Sequence, residues 1–303
     1  MVVEKIRIAI IGTGNIGTDL CARILKNPAF EVVAFVGRRD DSPGLIMFKD
    51  EIEHTISTGI DGLLKITAEF DGFFDATSAF DHENHWKVLK PLNKWAIDLT
   101  PSQVGVPMVP ELIGLSKKFN IQSGLFANYS MVTCGGQSSA PLVYAISKHS
   151  EQILEIEVSS SIASKSAGPA TRLNIDQYIE STENLIKIIS NCKQVKAVLV
   201  LNPADPPVMM RTTVHAKVLN FDLRAIKEEI TFIVDKIKNY VPGYDVVVEP
   251  YVSSLNTVSA TIKVTGAGYF LPAYAGNLDI INAAAVETAK RHSASLQGEI
   301  NAI

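Results

Sequence analysis

The stretch Asn128-Tyr129-Ser130-Met131-Val132-Thr133-Cys134-Gly135-Gly136-Gln137 holds the side chain in this sequence best suited to covalent chemistry. Met131-Val132-Thr133 predicts the end of a strand, Gly135 and Gly136 permit a sharp turn, and residues 137–149 have helical composition. Cys134 is therefore expected at a helix N-terminus, where unpaired N–H groups and the positive end of the helix dipole favour a thiolate over a thiol. A thiolate is a nucleophile. The same N–H groups, unshielded at Gly135 and Gly136, would hold the oxyanion that forms when sulfur attacks a carbonyl. A buried cysteine packed as a small hydrophobe fits this local sequence equally well.

A second reactant would have to be brought to that sulfur, and the N-terminal half of the chain suggests how. Ile6-Arg7-Ile8-Ala9-Ile10-Ile11 is an apolar run of the kind found in parallel strands buried on both faces. It leads into Gly12-Thr13-Gly14-Asn15-Ile16-Gly17 and then into helical spacing over residues 19–26. This G-x-G-x-x-G stands between strand and helix, the context in which it binds a dinucleotide. Gly12 would make the tight turn, Gly14 would admit the pyrophosphate and Gly17 would let the helix lie close to the strand. The second strand, residues 31–36, ends at Gly37-Arg38-Arg39-Asp40-Asp41. An acid there would bind the ribose 2′-hydroxyl of NAD, and Arg38 or Arg39 would meet the 2′-phosphate of NADP, so the cofactor stays open at this point. Strands are also expected over residues 72–77 and 95–100, with a weak candidate over residues 62–67. The Asp75 to Ser78 and Asp98 to Thr100 sets would then lie at carboxyl ends, lining a cofactor crevice or capping helices. His82 and His85 read as part of a solvated helical face.

After Cys134 the pattern changes to longer amphipathic strands over residues 154–163, 193–201, 208–218, 245–252 and 258–264, with helices over 175–190 and 223–240. That arrangement suggests an α+β domain with one sheet face covered. A last helix over 278–297 would return to the first domain. The expected fold is α/β: a Rossmann-type parallel-sheet domain, residues 1–133 completed by 277–303, plus an α+β catalytic and dimerisation domain, residues 134–276. Ser164-Lys165-Ser166-Ala167-Gly168-Pro169-Ala170-Thr171-Arg172 is rich in small residues and carries two cations, as a loop near a phosphate or a nicotinamide ribose would. An ordinary strand-to-helix loop is the other reading. Asn277 would be an amide contact to cofactor or a helix cap.

Composition narrows the function further. The chain has 303 residues, 47% of them hydrophobic and 20% charged, and a formal net charge of -4, which gives no support to nucleic-acid binding. No apolar run approaches the length of a membrane span and no signal peptide is evident, so a cytoplasmic protein is expected. Cys21, Cys134 and Cys192 lack metal-ligand spacing, which argues against both zinc and a disulfide framework. Cys21 and Cys192 lie in helical patterns and are expected to pack in the core.

The dinucleotide turn at residues 12–20, Phe74-Asp75-Ala76-Thr77-Ser78, Ile97-Asp98-Leu99-Thr100-Pro101, Met131-Val132-Thr133-Cys134-Gly135-Gly136-Gln137, residues 162–172 with their Ser164-Lys165-Ser166-Ala167-Gly168-Pro169, residues 201–211 and residues 271–280 together resemble the acylating acetaldehyde dehydrogenases. These are partners of 4-hydroxy-2-oxovalerate aldolase in the bacterial degradation of aromatic compounds. The resemblance implies oxidation of acetaldehyde or a short homologue by NAD, with NADP as the alternative, to an acyl-enzyme that coenzyme A cleaves. It implies Cys134 as the acyl-thioester cysteine and cofactor contacts from Thr13, Gly14, Asn15 and Ile16, from Ser166, Ala167, Gly168, Pro169, Ala170, Thr171, Arg172, Leu173 and Asn174, and from Asn277. It also implies a homodimer within a hetero-oligomer containing an aldolase. Three departures stand out. The family's acid after the Arg that follows the Pro-Pro segment is replaced here by Thr212, which cannot accept a proton near neutral pH. Asp205 stands too early in that segment to substitute for it. Tyr129-Ser130 looks like a small insertion, and the segment 249–259 looks short. Two other readings follow: a phosphorylating semialdehyde dehydrogenase, for which His215 would have to be the base, and a weakly active cofactor-binding partner of an aldolase, motivated by Thr212.

Overall fold

The computed structural model describes residues 5–298 apart from 123, 125, 254 and 255, and leaves the side chains of 169 and 170 undescribed. Along the first half run β1 (Ile6–Ile11), α1 (Asn15–Leu25), β2 (Phe30–Val36), α2 (Pro43–Met47), β3 (His54–Ile56), α3 (Ile60–Leu63), β4 (Gly72–Asp75), α4 (Ala79–Leu89), β5 (Trp95–Asp98), β6 (Val106–Pro107) and β7 (Asn128–Ser130). The strands form a parallel seven-stranded sheet in the order β3-β2-β1-β4-β5-β7-β6. Ile8, Ile10, Phe73, Phe74, Ala96 and Ile97 are fully buried, as continuous apolar strands covered on both faces must be. Strand order reverses between β1 and β4, so a crevice opens beyond their carboxyl ends.

The second half comprises α5 (Cys134–Lys148), β8 (Ser150–Ala163), α6 (Pro169–Leu173), α7 (Ile175–Ser190), β9 (Val195–Asn202), β10 (Met210–Phe221), α8 (Leu223–Ile237), β11 (Tyr244–Val252), β12 (Thr257–Val264) and α9 (Gly276–Leu296). Its five-stranded sheet has the order β11-β12-β10-β8-β9; the β8–β9 pair is parallel and the other pairings are antiparallel. In β10, Thr212, Val214, Ala216 and Val218 are buried on the helix-covered face. The intervening Thr213, His215 and Lys217 are only partly covered, the alternation expected of a sheet with one face packed.

α9 returns to the first sheet and is latched to α1. Buried Asp19 accepts from the backbone N–H of Phe270 (3.1 Å) and Leu271 (3.0 Å) and from the Asn282 amide (2.8 Å), while Arg23 pairs with Asp279. These bonds fix residues 270–282, and Asn277 with them.

The expected strands of both halves are present, but two readings need correction. Residues 62–67 belong to α3 and a following 3₁₀ turn, packed so closely on the preceding segment that a Cβ on Gly62 would meet the Ile56 and Thr58 side chains at 2.4 Å. Strand β7 ends at Ser130, so Met131-Val132-Thr133 is the turn and not the strand. Tyr129 and Ser130, apparent insertions, are strand residues paired with Ile97 and Asp98. β3 and β6 are too short for alternation to announce them. The short-looking segment 249–259 includes residues outside the described set.

Candidate active site

Cys134 is the first residue of α5 and Thr133 is its N-cap. Val132, just before, has φ +60°, a conformation costly for a β-branched residue, and this bend turns the chain from strand into helix. The bend is held on both sides. Gln137 donates from its amide to the Met108 and Met131 carbonyls at 2.7 and 3.0 Å, and the Thr133 hydroxyl accepts the Gly136 N–H at 2.8 Å. Gly136 therefore offers its N–H to the cap and not to a ligand. The N–H groups of Cys134 and Gly135 are the ones beside the sulfur.

The expected low thiol pKa is not what burial allows. Burial pushes the Cys134 thiol up to about 11, outweighing the Tyr178 hydroxyl and the Gly135 and Cys134 N–H groups, which act in the opposite direction. The helix terminus favours the thiolate, but in this pocket desolvation is the larger effect. Cys21 and Cys192 are buried free thiols, as expected.

Two cavities meet above the first sheet. The larger, about 850 Å³, is bounded by Gly12, Thr13, Gly14, Gly37, Arg38 and Arg39, among others. Gly12 has φ +108°, and a Cβ on Gly17 would fall 1.8 Å from the Gly12 carbonyl oxygen, whereas one on Gly14 would meet nothing within 4 Å. Tight turn, close helix and open approach are each present. Ser42 and both arginines border this cavity, but Asp40 and Asp41 do not. The smaller cavity, about 130 Å³, holds Cys134 with Ile16, Val132, Thr171, Asn174, Tyr178 and Asn277 on its walls. Ala76, Thr77 and Ser78 line both.

The other anticipated residues divide. Asn15 opens α1 at the surface beside the glycine turn. Arg172 folds back on its own loop, donating to the Ala167 and Ser164 carbonyls at 3.0 Å, and Leu173 is exposed. Ser166 donates to the Ala163 carbonyl. Ser166, Ala167, Gly168, Arg172 and Leu173 do not line either cavity; Pro169 and Ala170 have side chains outside the described set. Asn277 is not the N-cap of α9, a position held by Ala275, and its buried Oδ1 has no hydrogen-bond partner among the described residues. Asp205 is exposed and pairs with Lys165 at 3.2 Å. His215 bonds Ser259 at 2.7 Å on the sheet face opposite Thr212, away from the cysteine.

Some groups carry more than the sequence suggested. His82 is completely buried, which overturns the solvated-face reading: its Nδ1 meets Asp75 at 3.1 Å and its Nε2 lies 3.7 Å from Asp98. His85 meets Asp75 at 2.8 Å and borders the larger cavity. Burial opposes ionisation of Asp75, yet hydrogen bonds and charge from His82 and His85 hold it at about 2; for Asp98 burial prevails, pushing it to about 6. Ser78 both lines the cavities and caps α4, accepting the Asp81 N–H at 3.2 Å, so the two readings of that set hold together. Tyr178, whose hydroxyl lies 3.6 Å from the Cys134 sulfur, was not anticipated. The nearest signal was its place on the buried stripe of an amphipathic helix.

A parallel seven-stranded sheet joined to a five-stranded mixed sheet is an α/β fold shared with solved semialdehyde dehydrogenases. The fold is similar to that of aspartate semialdehyde dehydrogenase II from Vibrio cholerae, with TM-score 0.61 and 12% identity over 98% of this chain and 100% of that one. It is also similar to aspartate semialdehyde dehydrogenase from Candida albicans, solved with NADP, with TM-score 0.62 and 12% identity over 95% and 99% of the two chains. Residues 134–272 match the family model of the prokaryotic acetaldehyde dehydrogenase dimerisation region. The chain is 43% identical to acetaldehyde dehydrogenase of Pectobacterium atrosepticum over 98% of both chains. Against that of Geobacillus stearothermophilus it is 42% identical, over 95% of this chain and 96% of the relative. The chain belongs to the acetaldehyde dehydrogenase family and is, with it, a dehydrogenase.

Proposed function

We propose that this chain oxidises acetaldehyde, or an aldehyde of similar size, with NAD through a thioester on Cys134, and passes the acyl group to coenzyme A. The observation that carries this is a sulfur at the floor of a 130 Å³ cavity whose rim, Ala76 to Ser78, is shared with the dinucleotide cleft. So small a cavity suits a short aldehyde. Cys134 attacks the carbonyl carbon, and the Cys134 and Gly135 N–H groups stabilise the oxyanion as it forms. A bound nicotinamide supplies the acceptor for the hydride. The unpaired Asn277 Oδ1 suits a carboxamide N–H, and the open face of Gly14 suits a pyrophosphate. Arg38 and Arg39 at the ribose end suit a 2′-phosphate, so NADP is accepted alongside NAD.

We assign residues 1–133 with 277–303 to dinucleotide binding and 134–276 to catalysis and dimerisation. The change from parallel to mixed sheet at Cys134 and the packing of α9 on α1 support this division. The homodimer is supported by the dimerisation-region match, and the family resemblance supports a cytoplasmic 4-hydroxy-2-oxovalerate aldolase as the source of the aldehyde. Among the described residues no helix is long and apolar enough to cross a membrane. The phosphorylating reading is disfavoured, because His215 does not reach the cavity. NADH formation from acetaldehyde with and without coenzyme A, in the presence of the aldolase, is the test; no coenzyme-dependent turnover would refute the proposal.

A further inference from the structure

Thr212 is fully buried and, among the described residues, makes no direct contact with the Cys134 sulfur. Instead, hydroxyls connect the two. The Tyr178 hydroxyl sits 3.6 Å from the Cys134 sulfur and hydrogen-bonds Ser160. Ser160 Oγ lies 3.1 Å from Thr212 Oγ1, which lies 2.8 Å from Ser138 Oγ. Ser138 Oγ in turn donates to the Gly135 carbonyl at 3.1 Å. These residues come from α7, β8, β10 and α5. The meeting depends on Gly135, since a Cβ there would fall 2.2 Å from the Tyr178 oxygen and 3.0 Å from Ser160 Oγ.

A carbonyl only accepts, so while Ser138 donates to it the whole chain has one direction. With Cys134 as a thiol, S–H points to Tyr178, Tyr178 to Ser160, Ser160 to Thr212, Thr212 to Ser138, and Ser138 to the Gly135 oxygen. Once the sulfur is negative, every hydroxyl can turn the other way, so that Tyr178 donates to sulfur and each neighbour donates behind it. The Gly135 carbonyl stays satisfied throughout, because Ser139 also donates to it, at 2.6 Å. Burial and the adjacent sulfur hold Tyr178 well above the ordinary phenol range, so it remains a donor and does not compete for the charge.

We propose that Tyr178 is a catalytic residue that donates a hydrogen bond to the Cys134 thiolate, at the head of a Ser160–Thr212–Ser138 hydroxyl chain that reverses its polarity when the thiol ionises. This rests on Cys134 being the nucleophile. The chain carries no proton away, because its far end is a carbonyl. The S–H bond breaks with its electron pair left on sulfur, and the proton leaves through the cavity mouth to solvent hydroxide. Chain polarisation stabilises the anion that remains.

The test is the pH profile of iodoacetamide alkylation, with the Cys134→Ala protein as the blank for Cys21 and Cys192. No aldehyde or coenzyme is present, so the result stands apart from the identity of the substrate. Tyr178→Phe keeps the ring and removes the donor; its thiol pKa should rise by about one unit, and kcat should fall about tenfold with little change in KM for the aldehyde. Thr212→Val, two links away, should shift the profile in the same direction by less. Near-UV circular dichroism unchanged from the wild type confirms packing in both variants. An alkylation profile overlying the wild type in either well-folded variant overturns the proposal.

Discussion

Two buried polar clusters lie behind the cysteine cavity, and they are built on different electrostatic plans. On the side of the parallel sheet, Asp75, His82, His85 and Asp98 form an ionic group, with Asn128 Nδ2 3.1 Å from His82 Nε2. On the side of the mixed sheet, Tyr178, Ser160, Thr212 and Ser138 form a chain with no charge at all. The ionic cluster fixes charge: each group's state depends on its partner, so the carboxyl ends of β4 and β5 are held rigidly where they line the cavities. The hydroxyl chain fixes positions but leaves proton direction free, since a hydroxyl both donates and accepts. Rigidity thus sits beside the larger cavity and adaptability beside the sulfur.

The largest expected effect comes from removing the sulfur itself. Cys134→Ala should lower aldehyde turnover at least about a thousandfold, while fluorescence titration with NADH shows binding intact. Loss of binding as well would mean the sulfur also shapes the cleft.

Next is the ionic cluster. Asp75→Asn should cost about 3 kcal/mol in urea unfolding, because it leaves His82 buried beside one fewer carboxylate. Sign and pH range follow from the shifts. Asp75 is held below its unfolded value, so its contribution is present above about pH 4 and is lost as pH falls towards 2. His82 is raised by Asp75 and Asp98 against the effect of burial, so its contribution is present below about pH 6.5 and is lost as pH rises through the raised value. The stability difference between wild type and Asp75→Asn should therefore peak between those limits. A flat difference from pH 3 to 8 would show that the cluster is not ionic.

Thr212→Asp tests the neutral plan directly. A carboxylate within the chain would supply the proton acceptor that its hydroxyls and the Gly135 carbonyl cannot, and turnover near neutral pH should rise about tenfold. An unchanged rate would mean that proton loss to solvent is already sufficient. The smallest effect is expected at the cleft mouth, where Arg39→Ala should weaken NADPH binding about fivefold and NADH binding less, since an exposed cation adds only modestly to a phosphate contact. Equal weakening would remove Arg39 from 2′-phosphate recognition.

Much of this was legible along the chain because it is local. The dinucleotide turn was legible because Gly12, Gly14 and Gly17 each answer a separate backbone demand within six consecutive positions. The strands of the mixed sheet were legible from alternation, and Cys134 from the glycines that follow it. What escaped notice is what the sequence scatters. His82 and His85 look solvated because their neighbours are polar, and only the fold shows that α4 turns them onto Asp75. Tyr178 resembles any buried aromatic on a helical stripe until α7 is laid across the start of α5.

Taken by itself, the sequence determined the two sheets, the glycine-rich turn at residues 12–17 and the place of Cys134 at a helix terminus. Only the tertiary structure decided how far burial raises that thiol and what stands behind it. The physical reason is that a helix terminus is set by a few neighbouring residues, whereas desolvation and hydrogen-bond partners are set by whatever the fold packs around the site. Here it packs Cys134 deeply enough that burial outweighs the helix terminus.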